Sequence, residues 1–147
     1  DLQRDDLAIG DRVVIIGGGL VGTESAVEFK KRGKKVTVIE MQNDYAIDAN
    51  MFHKMALGIQ VRDGIDMHVS TKVKEITKEG VVAVDKDGNE MVFPADTILC
   101  AVGLKSRSAE VEALRDMVTE FVPIGDCVTV GQARTAIHHG YYAGLDL

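Results

Sequence analysis

The sequence predicts an α/β fold: a parallel sheet in which one crossover is a three-stranded antiparallel meander. Three observations carry that reading. The apolar run Val13-Val14-Ile15-Ile16 leads directly into Gly17-Gly18-Gly19-Leu20-Val21-Gly22. A helical stretch follows, and then a second apolar run, Val36-Thr37-Val38-Ile39, that ends on Glu40. Beyond residue 70 the apolar spacing shortens to alternation, broken by two turn signals.

Taken in order, residues 1–11 are charged and aperiodic and read as a linker. Residues 13–16 read as a buried strand. The glycines that follow have G-x-G-x-x-G spacing. Gly17 permits a tight turn, Gly19 lets a pyrophosphate approach the backbone, and Gly22 lets helix and strand pack closely. The helix starting there points free N–H groups and its positive dipole end at phosphate. Gly17, Gly18, Gly19, Leu20, Val21 and Gly22 are therefore the expected nucleotide-binding loop. Residues 23–32 continue as helix, with Ala26, Val27 and Phe29 apolar, Lys30, Lys31 and Arg32 near the end, and Gly33 as the stop.

Glu40 stands 18 residues past Gly22, where a ribose-binding carboxylate belongs. Two ribose hydroxyls can donate to it, whereas a 2′-phosphate meets like charge. Met41, Gln42 and Asn43 offer no cation to offset that repulsion, so NADH is expected over NADPH. The competing reading is a solvated acid at a strand end. Glu24 reads as a first-turn acid that complements the helix dipole.

Residues 42–49 are polar and loop-like, and residues 50–63 suggest a helix with Met51, Met55 and Ile59 at i, i+4, i+8. Gly58 counts against that helix and Gly64 closes it. Residues 65–69 form a third strand. Three β-prone stretches, 71–77, 81–84 and 90–93, are separated by Lys78-Glu79-Gly80 and Asp85-Lys86-Asp87-Gly88-Asn89, both hairpin signals. Residues 97–103 are a mostly apolar strand running into Gly103. The result is a Rossmann-like sheet with the first strand between the second and the last. The meander should cover one face, as the crossover from the third parallel strand. Residues 109–117 and 131–147 read as helical, and residues 121–124 as an extra strand beside 97–101.

Composition bounds the function. At 147 residues the chain has the length of one domain, and 46% apolar with 27% charged content is ordinary for a globular protein. A net charge of −6 argues against a nucleic-acid surface or a polybasic membrane surface. No apolar stretch is long enough to span a bilayer, and the acidic residues 1–6 are no signal peptide, so a cytoplasmic protein is expected. The two cysteines, Cys100 and Cys127, are 27 positions apart. They form neither a flavin-coupled dithiol nor four-cysteine metal or cluster ligation, and read as small buried hydrophobes at strand ends. Adjacent His138 and His139 point about 100° apart on a helix and do not chelate together. His53 and His68 read as structural or surface residues. Tyr141 and Tyr142 have no lysine four positions on, which removes a Tyr-x-x-x-Lys catalytic pair.

The motifs together resemble the two-dinucleotide-binding-domain flavoproteins. They are most similar to the C-terminal part of NADH:flavin oxidoreductases of the 2,4-dienoyl-CoA reductase and trimethylamine dehydrogenase type, related to Old Yellow Enzyme. The resemblance rests on residues 13–19 with Gly22 and Glu24, residues 36–40, the meander, Cys100-Ala101-Val102-Gly103, and Ile124-Gly125-Asp126-Cys127. It implies that residues 12–118 are an NAD(H)-binding domain passing hydride from NADH to FAD, with Glu24 facing the nicotinamide–flavin junction. It implies that Ala101, Val102 and Gly103 cross back toward the FAD domain. Residues 119–147 would be the return segment of that incomplete domain, in which Gly125 and Asp126 reach the FAD ribityl chain. The family's second G-x-G-x-x-G, its FMN- and substrate-binding barrel and its 4Fe-4S cysteines are not in this sequence. The chain is thus expected to be a piece of a larger enzyme, inactive alone and binding no FAD stoichiometrically, with the missing FAD and barrel domains as partners.

Two other readings compete. Ligand-gating nucleotide-sensing domains share the glycine loop and the acid after the second strand, but alternate strand and helix throughout. Methyltransferases share the loop and the ribose acid, but close with an antiparallel strand pair that has no counterpart here.

Overall fold

The computed structural model describes residues 8–146; the part of the expected linker at residues 1–7 lies outside them. The described residues form two compact units, divided between Gly103 and Leu104.

The first unit contains β1 (Arg12–Ile16), α1 (Leu20–Lys31), β2 (Lys35–Ile39), α2 (Met51–Arg62), β3 (Asp66–His68), β4 (Lys72–Ile76), β5 (Gly80–Val84), β6 (Glu90–Pro94) and β7 (Thr97–Cys100). One sheet has four strands in the order β3-β2-β1-β7, with each pairing parallel. The second has three antiparallel strands in the order β4-β5-β6. This is the expected order, with β1 between β2 and β7 and the meander between β3 and β7.

The unbroken apolar run of β1 is explained by its two faces. Val13 and Ile15 pack with Val36 and Val38 against Ala26, Val27 and Phe29 of α1 and Leu57 and Val61 of α2. Val14 and Ile16 point the other way and join Ile39 against Val81 and Ala83 of β5, with Val73, Phe93 and Ile98 at the margin. Apolar surface leaves water on both sides of the sheet, which is why Val13 to Ile16 are apolar without alternation. The meander is therefore the second covering layer.

Three local expectations need correction. In α2 the stripe Met51, Met55 and Ile59 faces solvent, 64–71% exposed, while Leu57, Gly58 and Val61 are buried. The Tyr45 hydroxyl lies 3.1 Å from where a Gly58 Cβ would stand, so Gly58 makes room for the loop residue packed on it. Residues 9–11 are not all lead-in. Ile9 packs against the core, the Gly10 amide donates to Thr97 Oγ1 at 3.0 Å, and the Asp11 carbonyl accepts from the Lys35 amide at 2.8 Å. Cys100 is exposed and Cys127 half-buried, so neither is a core hydrophobe.

The second unit contains α3 (Ser108–Glu112), short 3₁₀ turns at Arg115–Met117 and Gly125–Cys127, and α4 (Ala133–Asp146). The helix expected over 109–117 is broken into two short pieces. Residues 121–124 form no strand, and the parallel sheet ends at β7. Pro123 lacks the N–H that a paired strand would need. Among the described residues, no helix is long and apolar enough to cross a membrane.

Candidate functional site

The glycine loop joins β1 to α1 and is clamped by the neighbouring strand ends. The Gly17 amide donates to the Ile39 carbonyl at 2.9 Å, and the Ala101 amide to the Ile16 carbonyl at 2.7 Å. Gly17 has φ +100°, and a Cβ there would lie 2.3 Å from the Ala101 carbonyl oxygen. On Gly18 a Cβ would stand 2.9 Å from Glu40 Cβ, and on Gly22 only 1.9 Å from the Gly17 carbonyl oxygen. Gly19 differs: its nearest neighbour would be Asp48 Oδ1 at 3.8 Å. Three of these glycines are thus demanded by the protein's own packing, while a Cβ on Gly19 would meet only the exposed Asp48 carboxylate, at ordinary contact distance. Buried Thr23 ties the loop from below, donating from Oγ1 to the Gly18 carbonyl at 3.0 Å.

Glu40 follows β2 directly, and is buried. Its Oε2 accepts the Gly18 amide at 2.6 Å and its Oε1 the Gln42 amide at 2.7 Å. Each carboxylate oxygen retains a second lone pair for a hydroxyl donor. The carboxylate is therefore a built part of the loop, not a solvated acid at a strand end.

α1 begins at Leu20, so Glu24 lies beyond the first turn and its expected dipole role there is not realised. It pairs instead with His53 of α2, Oε1 to Nε2 at 3.2 Å. The donor end of α1 is met by a residue sequence reasoning passed over: Asp48 Oδ1 accepts the Leu20 amide at 2.8 Å. Its signal was weak, since residues 42–49 look merely polar. In the structure that loop is ordered by several ties. The Ala46 amide donates to the Gly18 carbonyl at 2.7 Å, with Ala46 fully buried at φ +45°. Lys54 pairs with Asp44 and lies 5.6 Å from the Tyr45 ring centre. The Lys54 hydrogen bond holds the Asp44 carboxyl below the usual carboxylate range.

Residues 17–22, Glu40 and Ala101 are therefore assembled around one loop. Val21 and Val102 are exposed beside it in sequence, and Gly103 has φ +91°. In the second unit, Gly125 opens a 3₁₀ turn at φ +70° and its amide donates to His139 Nδ1 at 3.1 Å. Asp126 is exposed, and its Oδ1 accepts the Gly131 amide at 3.2 Å.

Comparison with known proteins places the chain among parts of larger reductases. Cinnamate reductase of Clostridium sporogenes is 34% identical over 96% of this chain and 22% of that protein. NADH oxidase of Thermoanaerobacter brockii is 35% identical over 89% of this chain and 20% of that protein. The solved 2-naphthoyl-CoA reductase complex superposes with a TM-score of 0.86 at 28% identity, covering 96% of this chain and 22% of that one. The chain thus spans about a fifth of the length of these relatives. Residues 1–144 match the pyridine nucleotide-disulphide oxidoreductase family, and the chain belongs to it.

Proposed function

We propose that residues 12–118 bind NAD(H) and present it to a flavin in a larger FAD-dependent reductase of the Old Yellow Enzyme-related type. The observation that carries this reading is the pairing of Glu40 with the Gly18 amide at 2.6 Å beside Gly19, whose Cβ position meets no backbone and nothing nearer than 3.8 Å. A ribose-binding carboxylate and a pyrophosphate-binding backbone are then fixed to one another. Gly17, Gly18, Leu20, Val21 and Gly22 supply the rest of the loop, while Ala101, Val102 and Gly103 lead out of this unit. Residues 119–147 are the return segment of the FAD-binding domain, with Gly125 and Asp126 toward the ribityl chain. The half-exposed turn fits that role, because among the described residues the Gly131 amide takes Oδ1 of Asp126 and leaves the carboxylate exposed. FAD, when bound, accepts hydride from NADH; this chain's part is to hold the nicotinamide nucleotide in register. FMN and a 4Fe-4S cluster belong to domains outside this sequence. The antiparallel β4-β5-β6 sheet weighs against the nucleotide-sensing alternative, whose sheet alternates strand and helix.

The test is titration of the 147-residue chain with NADH and NADPH by calorimetry or amide chemical shifts. NADH should bind more tightly, with the largest shifts at residues 17–22 and 40. Tighter binding of NADPH by the unmutated chain would overturn the assignment.

A further inference from the structure

The N-terminus of α1 already has an anion on it. The Asp48 carboxylate accepts the Leu20 amide at 2.8 Å, and its two oxygens lie 3.8 and 4.0 Å from the Cβ position of Gly19. Those are the donor and the glycine face that the pyrophosphate of a dinucleotide would use. The carboxylate does not reach them by accident of a loose loop. Ala46 fastens the same loop to the Gly18 carbonyl, and the Lys54 pair with Asp44 fastens it to α2. Asp48 itself is exposed, so its side chain can turn away by rotation alone while the loop stays put.

We propose that Asp48 sets the affinity of the glycine loop for pyrophosphate-bearing ligands, because its carboxylate and the pyrophosphate compete for the Leu20 amide. This rests on the nucleotide-binding reading above and adds a determinant to it. A pyrophosphate arriving at α1 has to displace a charge-assisted hydrogen bond and then remains close to the displaced negative charge. Ligands without phosphate meet neither obstacle. Asp48 is thus a built-in attenuator that keeps binding readily reversible, and it discriminates among ligands by phosphate charge, where Glu40 discriminates by ribose.

Asp48→Asn tests this directly, since the amide oxygen can still accept from Leu20 while the charge is gone. NADH and ADP-ribose should bind about fivefold to tenfold more tightly than to the unmutated chain, the difference between a charged and a neutral hydrogen-bond acceptor. Adenosine, titrated in parallel, should bind the two proteins alike. Asp48→Ala, which removes the acceptor as well, should show the same selectivity and guards against a local rearrangement in the asparagine variant. Thermal unfolding of both variants confirms that they are folded. If the unmutated chain binds NADH and neither variant binds it more tightly, the competition does not exist and Asp48 merely caps α1. If none of the three proteins binds NADH, the nucleotide-binding reading itself falls, and this inference with it.

Discussion

Gly22 meets Gly17 backbone to backbone: a Cβ on Gly22 would stand 1.9 Å from the Gly17 carbonyl oxygen. Two effects oppose one another at this position. Alanine within a helix gains about 1 kcal/mol over glycine, whereas forcing a methyl group into a filled space costs about 1–3 kcal/mol or more. The obstacle is a main-chain oxygen that no rotamer change moves, so the clash wins. Gly22→Ala should lower stability by at least about 1 kcal/mol in urea unfolding. Gly19→Ala is the contrast. Its φ of −61° suits any residue and nothing would lie nearer than 3.8 Å. That variant should keep or slightly raise stability, by up to about 1 kcal/mol, yet bind NADH less well. Equal stability losses in the two variants would contradict this division of labour.

Glu40 holds two amides at once, Gly18 on one oxygen and Gln42 on the other. Glutamine has a single carbonyl oxygen, and its NH₂ group cannot accept. Glu40→Gln should therefore leave one of the two amides, the buried one of Gly18 or the half-buried one of Gln42, without its acceptor and cost about 1 kcal/mol or more. Glu40→Ala removes both acceptors and should also narrow the preference for NADH over NADPH. The pair of variants separates support of the loop from recognition of the ribose. Unchanged urea midpoints for both would show that the carboxylate is not structural.

Arg12 and Asp96 lock β1 to the start of β7. The Arg12 guanidinium donates to Asp96 Oδ1 at 2.6 Å, the Arg12 amide to Oδ2 at 2.9 Å, and the Asp96 amide to the Arg12 carbonyl at 2.9 Å. The guanidinium hydrogen bond first, and the Arg12 amide second, hold the Asp96 carboxyl at about 2, against an ordinary 3.8. A carboxyl with a depressed folded-state value binds fewer protons folded than unfolded, so its contribution is complete above about pH 4 and fades as pH falls toward about 2. Asp96→Asn should flatten the acid limb of the stability profile within that window. The pair is open to solvent, so the effect should be modest and shrink in salt. A superimposable acid limb for the two proteins would show that this carboxyl does not contribute.

The sheet, its strand order and the glycine loop were legible in the sequence because each depends on local rules. Residues 13–16 had to be buried on both faces, and Gly17 to Gly22 had to turn and pack in a fixed spacing. The orientation of α2 was not legible. Met51, Met55 and Ile59 are as helically spaced as Leu57 and Val61, and only the tertiary packing distinguishes them: Leu57 and Val61 join the core, with Tyr45 fitted against Gly58. Asp48 escaped notice for a related reason. Its partner, the Leu20 amide, is 28 positions away in sequence, and nothing in a polar loop announces a bond across that distance. Residues 121–124 have the apolar content of a strand, but Pro123 has no N–H to give a ladder, and they form none.

The meander also bears on the order in which the chain folds. Arg12 and Asp96 are 84 positions apart, so the β1–β7 pairing closes a long loop before it gains any contact. β4, β5 and β6 pair only with sequence neighbours and need no such closure. Once formed, they draw the end of β3 and the start of β7 together and shorten the search that remains. Gly88, at φ +86° in the β5–β6 turn, should then influence the folding rate: replacing it with valine should slow refolding. Thr97→Ala, which removes the Gly10 hydrogen bond at the β7 edge, should instead act mainly by speeding unfolding. Stopped-flow measurements on the two variants would read this order from which limb moves, and the reverse pattern would place the parallel sheet first.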